Sequence, residues 1–236
     1  MSEVAGIVEA VWRYPIKSLG GERLRGVAVD ARGVAGDRLY AVRDANGKFG
    51  SGKSTRRFRR MDGLLRLRSR YPGGLGDPEL LDPDGKAVPD ATAFLRGCLA
   101  RDDIEVAAEG AVPHFDELAL SVLTTATLSW AQAAVPGATV DERRFRPNLL
   151  VRTAPGTRPF VEDDWLGRTA LIGQELCVQF ARSSERCVMV NEAQQELPHS
   201  PLLLKTIATS HDNKLGALAT IARCGYVGMG DAVTFA

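Results

Sequence analysis

The chain has 236 residues, of which 44% are hydrophobic and 25% charged, and its net charge is +1. That is enough chain for one large domain or two small ones, with the composition of an ordinary globular protein. The near-neutral balance excludes a global electrostatic pull toward nucleic acid or membrane, so any basic site must be local.

No stretch of 18 or more apolar residues occurs, so no membrane span is expected. The N-terminus, MSEVAGIVEAVWRYPIK, lacks a basic segment followed by an apolar one, which points to a cytoplasmic protein. The four cysteines, Cys98, Cys177, Cys187 and Cys224, form no CxxC knuckle and are expected to be thiols. The histidines, His114, His199 and His211, are scattered and suggest no His-rich metal site.

Residues 4–12, VAGIVEAVW, read as a strand, and YPIKSLGGERL follows as a loop broken by Pro15 and the Gly20–Gly21 pair. GVAVDARGVAGDRLYAVRD holds two short strands around a glycine-rich connection. ANGK then fits a hairpin turn, because Asn-Gly tolerates positive φ, and FGSGKS is the returning arm. Residues 71–90, rich in Pro, Gly and Asp, read as a long surface loop or a hairpin tip.

PDATAFLRGCLA predicts a helix capped by Asp90 or Thr92, with Phe94, Leu95, Cys98 and Leu99 at helical spacing. TTATLSWAQAAV predicts a second helix, capped by Thr124 or Thr125, and SPLLLKTIATSH a third. NLLVRT, TALIGQELCVQFA, CVMVN and DAVTFA read as strands. Strands outnumber helices without regular β-α alternation, so the fold is expected to be α+β and β-rich rather than doubly wound.

Residues 47–54 match G-x-x-x-x-G-K-[ST], the spacing of a phosphate-binding loop. Such a loop needs a strand entering and a helix leaving, whose N-terminus meets the phosphates. Here a turn-forming DAN precedes Gly47, and STRRFRRMDG follows without an apolar face. A nucleotide cradle therefore competes with a plain hairpin arm and with a different anion site. Lys53, Arg56, Arg57, Arg59, Arg60, Arg66, Arg68 and Arg70 stand against one acid, Asp62, between residues 53 and 70. They read as a solvated face, as an RNA-binding stripe with only Phe58 to stack bases, or as donors to a small anion that needs two or three of them.

Five stretches fall into one ordered pattern: YPIKS (14–18), GDRLYAVRDANGKF (36–49), RRFRPNLLV (143–151), EDDWLGRTALIG (162–173) and ERCVMVN (185–191). Together they resemble the MOSC family of molybdenum-cofactor-binding proteins, over nearly the whole chain. The likeness is greatest to the amidoxime-reducing type and its bacterial relatives. The resemblance implies a MOSC β-barrel core in residues 111–236, an N-terminal MOSC β-barrel region in residues 1–110, and a few short helices. It also implies a Mo-pyranopterin (molybdenum–molybdopterin) cofactor, whose pterin and phosphate would be held by Lys17, Ser18, Lys53, Thr124, Arg146, Asn148 and Arg186. Lys53 stands where relatives have arginine, and LTTATL (123–128) keeps a hydroxyl at Thr124.

Cys187 follows Arg186 and is the implied molybdenum ligand and catalytic residue, a soft sulfur donor beside a cation. Read alone, Cys187 is a structural thiol, Lys17 a surface lysine and Asn148 a turn residue after Pro147. Cys98 and Cys177 read as core, and Cys224 as structural. The implied activity is reduction of N-hydroxylated or N-/S-oxide small molecules by oxygen-atom transfer to molybdenum, independent of pyridoxal phosphate. Electrons would come from an external flavoprotein or iron–sulfur protein, with no nucleic-acid or membrane partner. The alternative is a cofactor carrier or sulfur-transfer module, with a persulfide on Cys187 and no reductase activity of its own.

Overall fold

A computed structural model describes residues 3–115 and 117–235. The chain opens with β1 (Glu3–Arg13), β2 (Ile16–Lys17), β3 (Glu22–Leu24), β4 (Gly26–Asp30) and β5 (Gly33–Val34). Next come β6 (Tyr40–Asp44), β7 (Phe49–Ser51), β8 (Phe58–Arg60), β9 (Arg68–Arg70), β10 (Glu79–Leu81) and β11 (Ala87–Val88). Helix α1 (Ala91–Leu99), β12 (Ile104–Ala108), β13 (Leu120–Thr124), helix α2 (Thr125–Ala134) and β14 (Leu149–Arg152) follow. The chain ends through β15 (Thr169–Ile172), β16 (Leu176–Glu185), helix α3 (Leu203–His211), β17 (Lys214–Arg223), β18 (Gly225–Gly228) and β19 (Ala232–Phe235). The expected β-rich α+β architecture is what forms.

Seven strands close into a barrel in the order β14-β13-β17-β16-β15-β19-β1, sealed by pairing of β1 with β14, and β3 extends the sheet from β1. Closure leaves no open edge within the ring. All its pairings are antiparallel except β13 with β14, which run parallel. Parallel neighbours cannot be joined by a tight hairpin, and α2 lies in the crossover between them. Val8, Val11, Leu120, Val151, Val178, Phe180, Val233 and Phe235 fill the barrel interior. A second apolar cluster seats α2 and α3 against the barrel through Ala131, Leu203, Ile207 and Leu215.

The N-terminal half adds a sheet ordered β12-β6-β7-β8, with β2 parallel to β6, and a three-stranded sheet, β11-β10-β9, while β4 and β5 join the C-terminal β18 in a third, β18-β4-β5. Ile16, Leu19, Val42, Leu64, Leu80, Leu95 and Ile104 form its core under α1. The ANGK turn is a tight hairpin connection: Gly47 has φ 72, and the Asp44 carboxylate accepts the N–H groups of Asn46 and Lys48 at 2.9 Å each. Gly47 and Lys53 therefore flank a short strand with no helix after it, and the phosphate-loop reading fails on that geometry. Within the segment 71–90, residues 79–88 form the β10–β11 hairpin, and residues 71–78 are the surface loop that joins β9 to β10.

Two expectations are corrected. CVMVN is not a strand: Val188–Val190 form a 3-10 turn. The β16 ladder ends where Glu185 meets Lys214, the first residue of β17, and the Arg186 N–H takes one more bond to Asn213 before the partner strand runs out. The cysteines read as core are not buried. Cys98 is exposed on α1, whose one buried residue is Leu95, and Cys177 is half-buried on the outer face of β16, where Leu176, Val178 and Phe180 take the inner positions. Cys224 is also exposed. Among the described residues no helix is long and apolar enough to cross a membrane.

Candidate functional site

One cavity of about 150 Å³ lies where the N-terminal sheets meet the barrel. At roughly 10–15 Å³ per water on the same measure, it has room for on the order of ten waters. Five segments line it: β2 with Lys17 and Ser18, the β7 arm with Ser51 and Lys53, the run into β13 with Glu117, Leu118 and Ser121, the approach to β14 with residues 144–146 and Asn148, and the exit from β16 with residues 184–187. Arg38, from the turn before β6, completes the wall. Six cations face or flank this space (Lys17, Arg38, Lys53, Arg144, Arg146 and Arg186) against two acids, Glu117 and Glu185. On a chain of net charge +1 this is a strong local concentration of positive potential.

Cys187 caps the 3-10 turn at the end of β16 and is half-buried. Lys53 Nζ lies 3.6 Å from its Sγ, an ammonium placed to complement negative charge on sulfur. The two segments are pinned again two residues further on, where Gly52 N–H and Ser51 Oγ both donate to Met189 Sδ, at 3.1 and 3.5 Å. A Cβ on Gly52 would sit 2.7 Å from that sulfur, so glycine is what permits this approach. The Phe58 ring is shared by both lysines, its centroid 4.8 Å from Lys53 Nζ and 5.2 Å from Lys17 Nζ.

Elsewhere in the lining Arg38 and Arg146 both lie over the buried Tyr14 ring, their guanidinium carbons 4.8 and 4.2 Å from its centroid. Burial pushes the Tyr14 phenol well above its ordinary range, so it stays neutral, and it donates to the Pro147 carbonyl at 3.2 Å. Arg146 donates to Leu19 O at 2.6 Å, and Arg38 is paired with Asp37. Ser18, Arg38 and Arg146 all have positive φ, at 66, 53 and 52°. Non-glycine residues hold this conformation at a cost, and such strain collects at ligand sites.

The remaining groups are committed to the protein. Arg186 Nε and Nη2 both donate to the Leu215 carbonyl, the first at 2.8 Å, and Nη1 to the Phe145 carbonyl at 2.9 Å. Burial lowers its pKa to about 10, against the opposing pull of Cys187, Glu117 and Glu162, so it remains charged at neutral pH. Arg144 is likewise spent on the carbonyls of Thr139, Val190, Glu192 and Pro198. The Asn148 carboxamide accepts the Ser121 N–H at 3.1 Å and donates to Trp12 O at 3.4 Å, tying β13 and β1 to the head of β14.

Of the residues singled out from sequence, Lys17, Ser18, Lys53, Arg146, Asn148, Arg186 and Cys187 meet at this cavity, and Thr124 does not line it. Thr124 is buried and caps α2, accepting the Thr127 N–H at 3.2 Å, while the buried Glu162 carboxylate accepts the Thr124 N–H at 2.9 Å. Sequence reasoning missed Arg38, Arg144, Ser51 and Met189. Arg38 carried a signal, since a Gly-Asp pair directly before it marks a turn able to hold an arginine at positive φ. Of the arginine run, Arg59, Arg60 and Arg70 are paired with Asp44, Asp62 and Glu79.

The family model of the MOSC domain matches residues 109–234, more than half of the chain. The chain belongs to the MOSC domain family. Residues 5–71 match the MOSC N-terminal beta barrel domain, so both halves of the cavity wall fall within matched segments. The YuaD protein from Bacillus subtilis has a similar fold, with a TM-score of 0.57 at 12% identity over 100% of this chain and 97% of that one. A hypothetical protein of known structure aligns with TM-score 0.48 at 11% identity over 99% and 68% of the two chains. YiiM from Geobacillus stearothermophilus aligns with TM-score 0.40 at 18% identity over 50% and 54%. No curated protein sequence matches the chain.

MOSC proteins bind the molybdenum cofactor, and the donor set here fits such a group. A phosphorylated dithiolene is a polyanion, which suits a wall of lysines and arginines. It also brings its own sulfur ligands to the metal. Among the described residues no cluster of three His, Cys, Asp or Glu side chains exists to cage a metal, whereas a chelated metal needs only the one soft donor that Cys187 offers.

Proposed function

We propose that this MOSC protein is a molybdenum-dependent reductase of N-hydroxylated or N-/S-oxide small molecules, of the amidoxime-reducing type, fed by an external electron donor. The observation that carries the reading is the half-buried Cys187 at a cavity wall of six cations, with the Lys53 ammonium 3.6 Å from its sulfur. When bound, the cofactor supplies two-electron oxygen-atom chemistry, and the protein's part is to hold, orient and tune. Lys17, Lys53, Arg38 and Arg146 hold the phosphorylated pterin by charge. Cys187 supplies the protein sulfur to the metal. Arg144 and Arg186, their donors spent on carbonyls, fix the two segments that carry Arg146 and Cys187 and add positive field without moving.

Thr124 belongs to the scaffold of α2 in this reading rather than to the cofactor contacts. Residues 1–110 and 111–236 are the two functional halves in this reading, and each contributes cations to the cavity: Lys17, Arg38 and Lys53 from the first, Arg144, Arg146 and Arg186 from the second.

Metal analysis of the purified protein tests the reading. About one molybdenum per chain with pterin fluorescence after oxidation is expected, together with loss of N-hydroxy reduction in Cys187→Ala. Full activity of that variant with a reduced donor would remove Cys187 from the metal. The carrier alternative draws on the partial exposure of Cys187, which leaves room for a persulfide. A persulfide detected by mass spectrometry, with no turnover of N-hydroxylated substrates, would favour it.

A further inference from the structure

We propose that Phe58 is a positioning residue: its ring sets the Lys17 and Lys53 ammonium groups as one anion-binding pair for the phosphoryl group of the cavity's ligand. The proposal deepens the reading above, since it rests on the cavity taking a phosphorylated anion.

The two lysines reach the cavity from different elements, Lys17 from β2 and Lys53 from the segment after β7, and the Phe58 ring is common to both. Their Nζ atoms lie 5.2 and 4.8 Å from its centroid, inside the roughly 6 Å over which a cation is drawn to an aromatic face. Two ammonium groups gathered on one ring repel each other. The negative face of the ring offsets part of that repulsion, and an anion between them gains from both charges. An aliphatic side chain of similar size would keep the wall's shape and lose this attraction.

The ring is itself fixed. Phe58 is 8% exposed and pairs with Phe49 in the parallel β7–β8 ladder. Its N–H donates to Thr55 Oγ1 at 3.2 Å, and its carbonyl accepts the Thr55 N–H at 3.0 Å. The Phe49 ring packs 6.4 Å away, tilted by 44°, and is backed in turn by the His114 ring edge-on at 5.0 Å. A lysine carries a long flexible stem, so a fixed partner for its head group is what turns two mobile charges into a preorganised pair. Phe58 is the one aromatic within the RRFRR run, and this gives it a role that neither base stacking nor a nucleotide loop supplies.

The test replaces Phe58 by 4-fluoro-, 3,5-difluoro- and 3,4,5-trifluorophenylalanine in the full chain, prepared cofactor-free from cells unable to make the cofactor. Fluorine drains the ring's negative face while nearly preserving its size, so a merely structural role would not respond in graded fashion. Inorganic pyrophosphate is the probe, titrated by calorimetry at low salt. Affinity is expected to fall stepwise, about threefold to tenfold across the series, with the melting temperature unchanged. Phe58→Tyr should bind like the unsubstituted chain, and Phe58→Leu like the trifluoro variant. Equal affinity across the series overturns the proposal, as does the absence of saturable binding to the unsubstituted chain. The titration needs no molybdenum. A graded series in a chain that never acquires molybdenum would sink the proposed function alone, and a flat series in a chain that does would sink only the role of Phe58.

Discussion

Replacing Arg186 with lysine separates a staple from a ligand contact. The guanidinium spans two buried carbonyls, Leu215 O through Nε and Nη2 and Phe145 O through Nη1. A lysine keeps the charge, but its point-like ammonium replaces a planar fork and cannot serve both acceptors at the same geometry. One buried carbonyl is then left unsatisfied, which costs about 1–3 kcal/mol. A chain of this size loses roughly 2–4 °C of melting temperature per kcal/mol, so Arg186→Lys should melt roughly 4–8 °C below wild type for a loss of about 2 kcal/mol. Thermal unfolding followed by circular dichroism reads this directly. If charge at this position were what mattered, lysine would be a silent change, and a melting temperature within about 2 °C of wild type would refute the staple.

Two further substitutions probe buried residues that do not line the cavity. His114 is fully buried, and burial, with Arg43 beside it, lowers its pKa to about 4. The folded state therefore holds it neutral where the unfolded chain would protonate it. Its contribution is fully present above about pH 6.5 and is lost as pH falls toward 4, by about 3 kcal/mol. Melting temperature plotted against pH should drop across that window in wild type and be flatter in His114→Gln. An equal drop in both would show that other groups carry the acid sensitivity. Thr124→Ala removes the α2 cap and should cost about 1 kcal/mol, while pyrophosphate affinity stays at the wild-type value. A loss of affinity without a loss of stability would return Thr124 to the ligand contacts.

The legible parts of the fold are those with strong local chemistry. ANGK announced its hairpin because Gly47 needs positive φ, and Asp90 and Thr124 announced α1 and α2 because each accepts a backbone N–H of the first turn. β17 was not legible. KLGALATIAR is rich in Ala and Gly, which have low strand propensity, yet Ala217 and Ala219 are fully buried in the barrel. Small residues there answer to what packs across from them, which no local pattern shows. CVMVN failed in the opposite sense, since its apolar β-branched run reads as strand until the partner strand ends at Lys214. At the site, ordered motifs identified most of the wall, but not which cations face the ligand. That division depends on carbonyls supplied from residues 139, 145, 190 and 215, far along the chain from the arginines that use them or hidden in turns.

The same division carries an energetic consequence. Arg144 and Arg186 are buried, and among the described residues each spends its hydrogen bonds on neutral carbonyls. Dipoles satisfy the donors, and Asp141 near Arg144 and Glu117 and Glu162 near Arg186 offset only part of what burial costs these charges, which leaves a shortfall of counter-charge in the interior. An anion in the cavity supplies that counter-charge and binds the folded state alone. Pyrophosphate at about 100 times its dissociation constant should therefore add about 2.7 kcal/mol of stability, or roughly 5–11 °C of melting temperature. Sodium chloride at equal ionic strength screens the same charges without bridging them, so it should yield a smaller rise. The comparison is made by thermal unfolding of the cofactor-free full chain in the two salts. Equal shifts would mean that the cavity feels ionic strength rather than a bound anion, and the case for a preorganised anion site would fall with it.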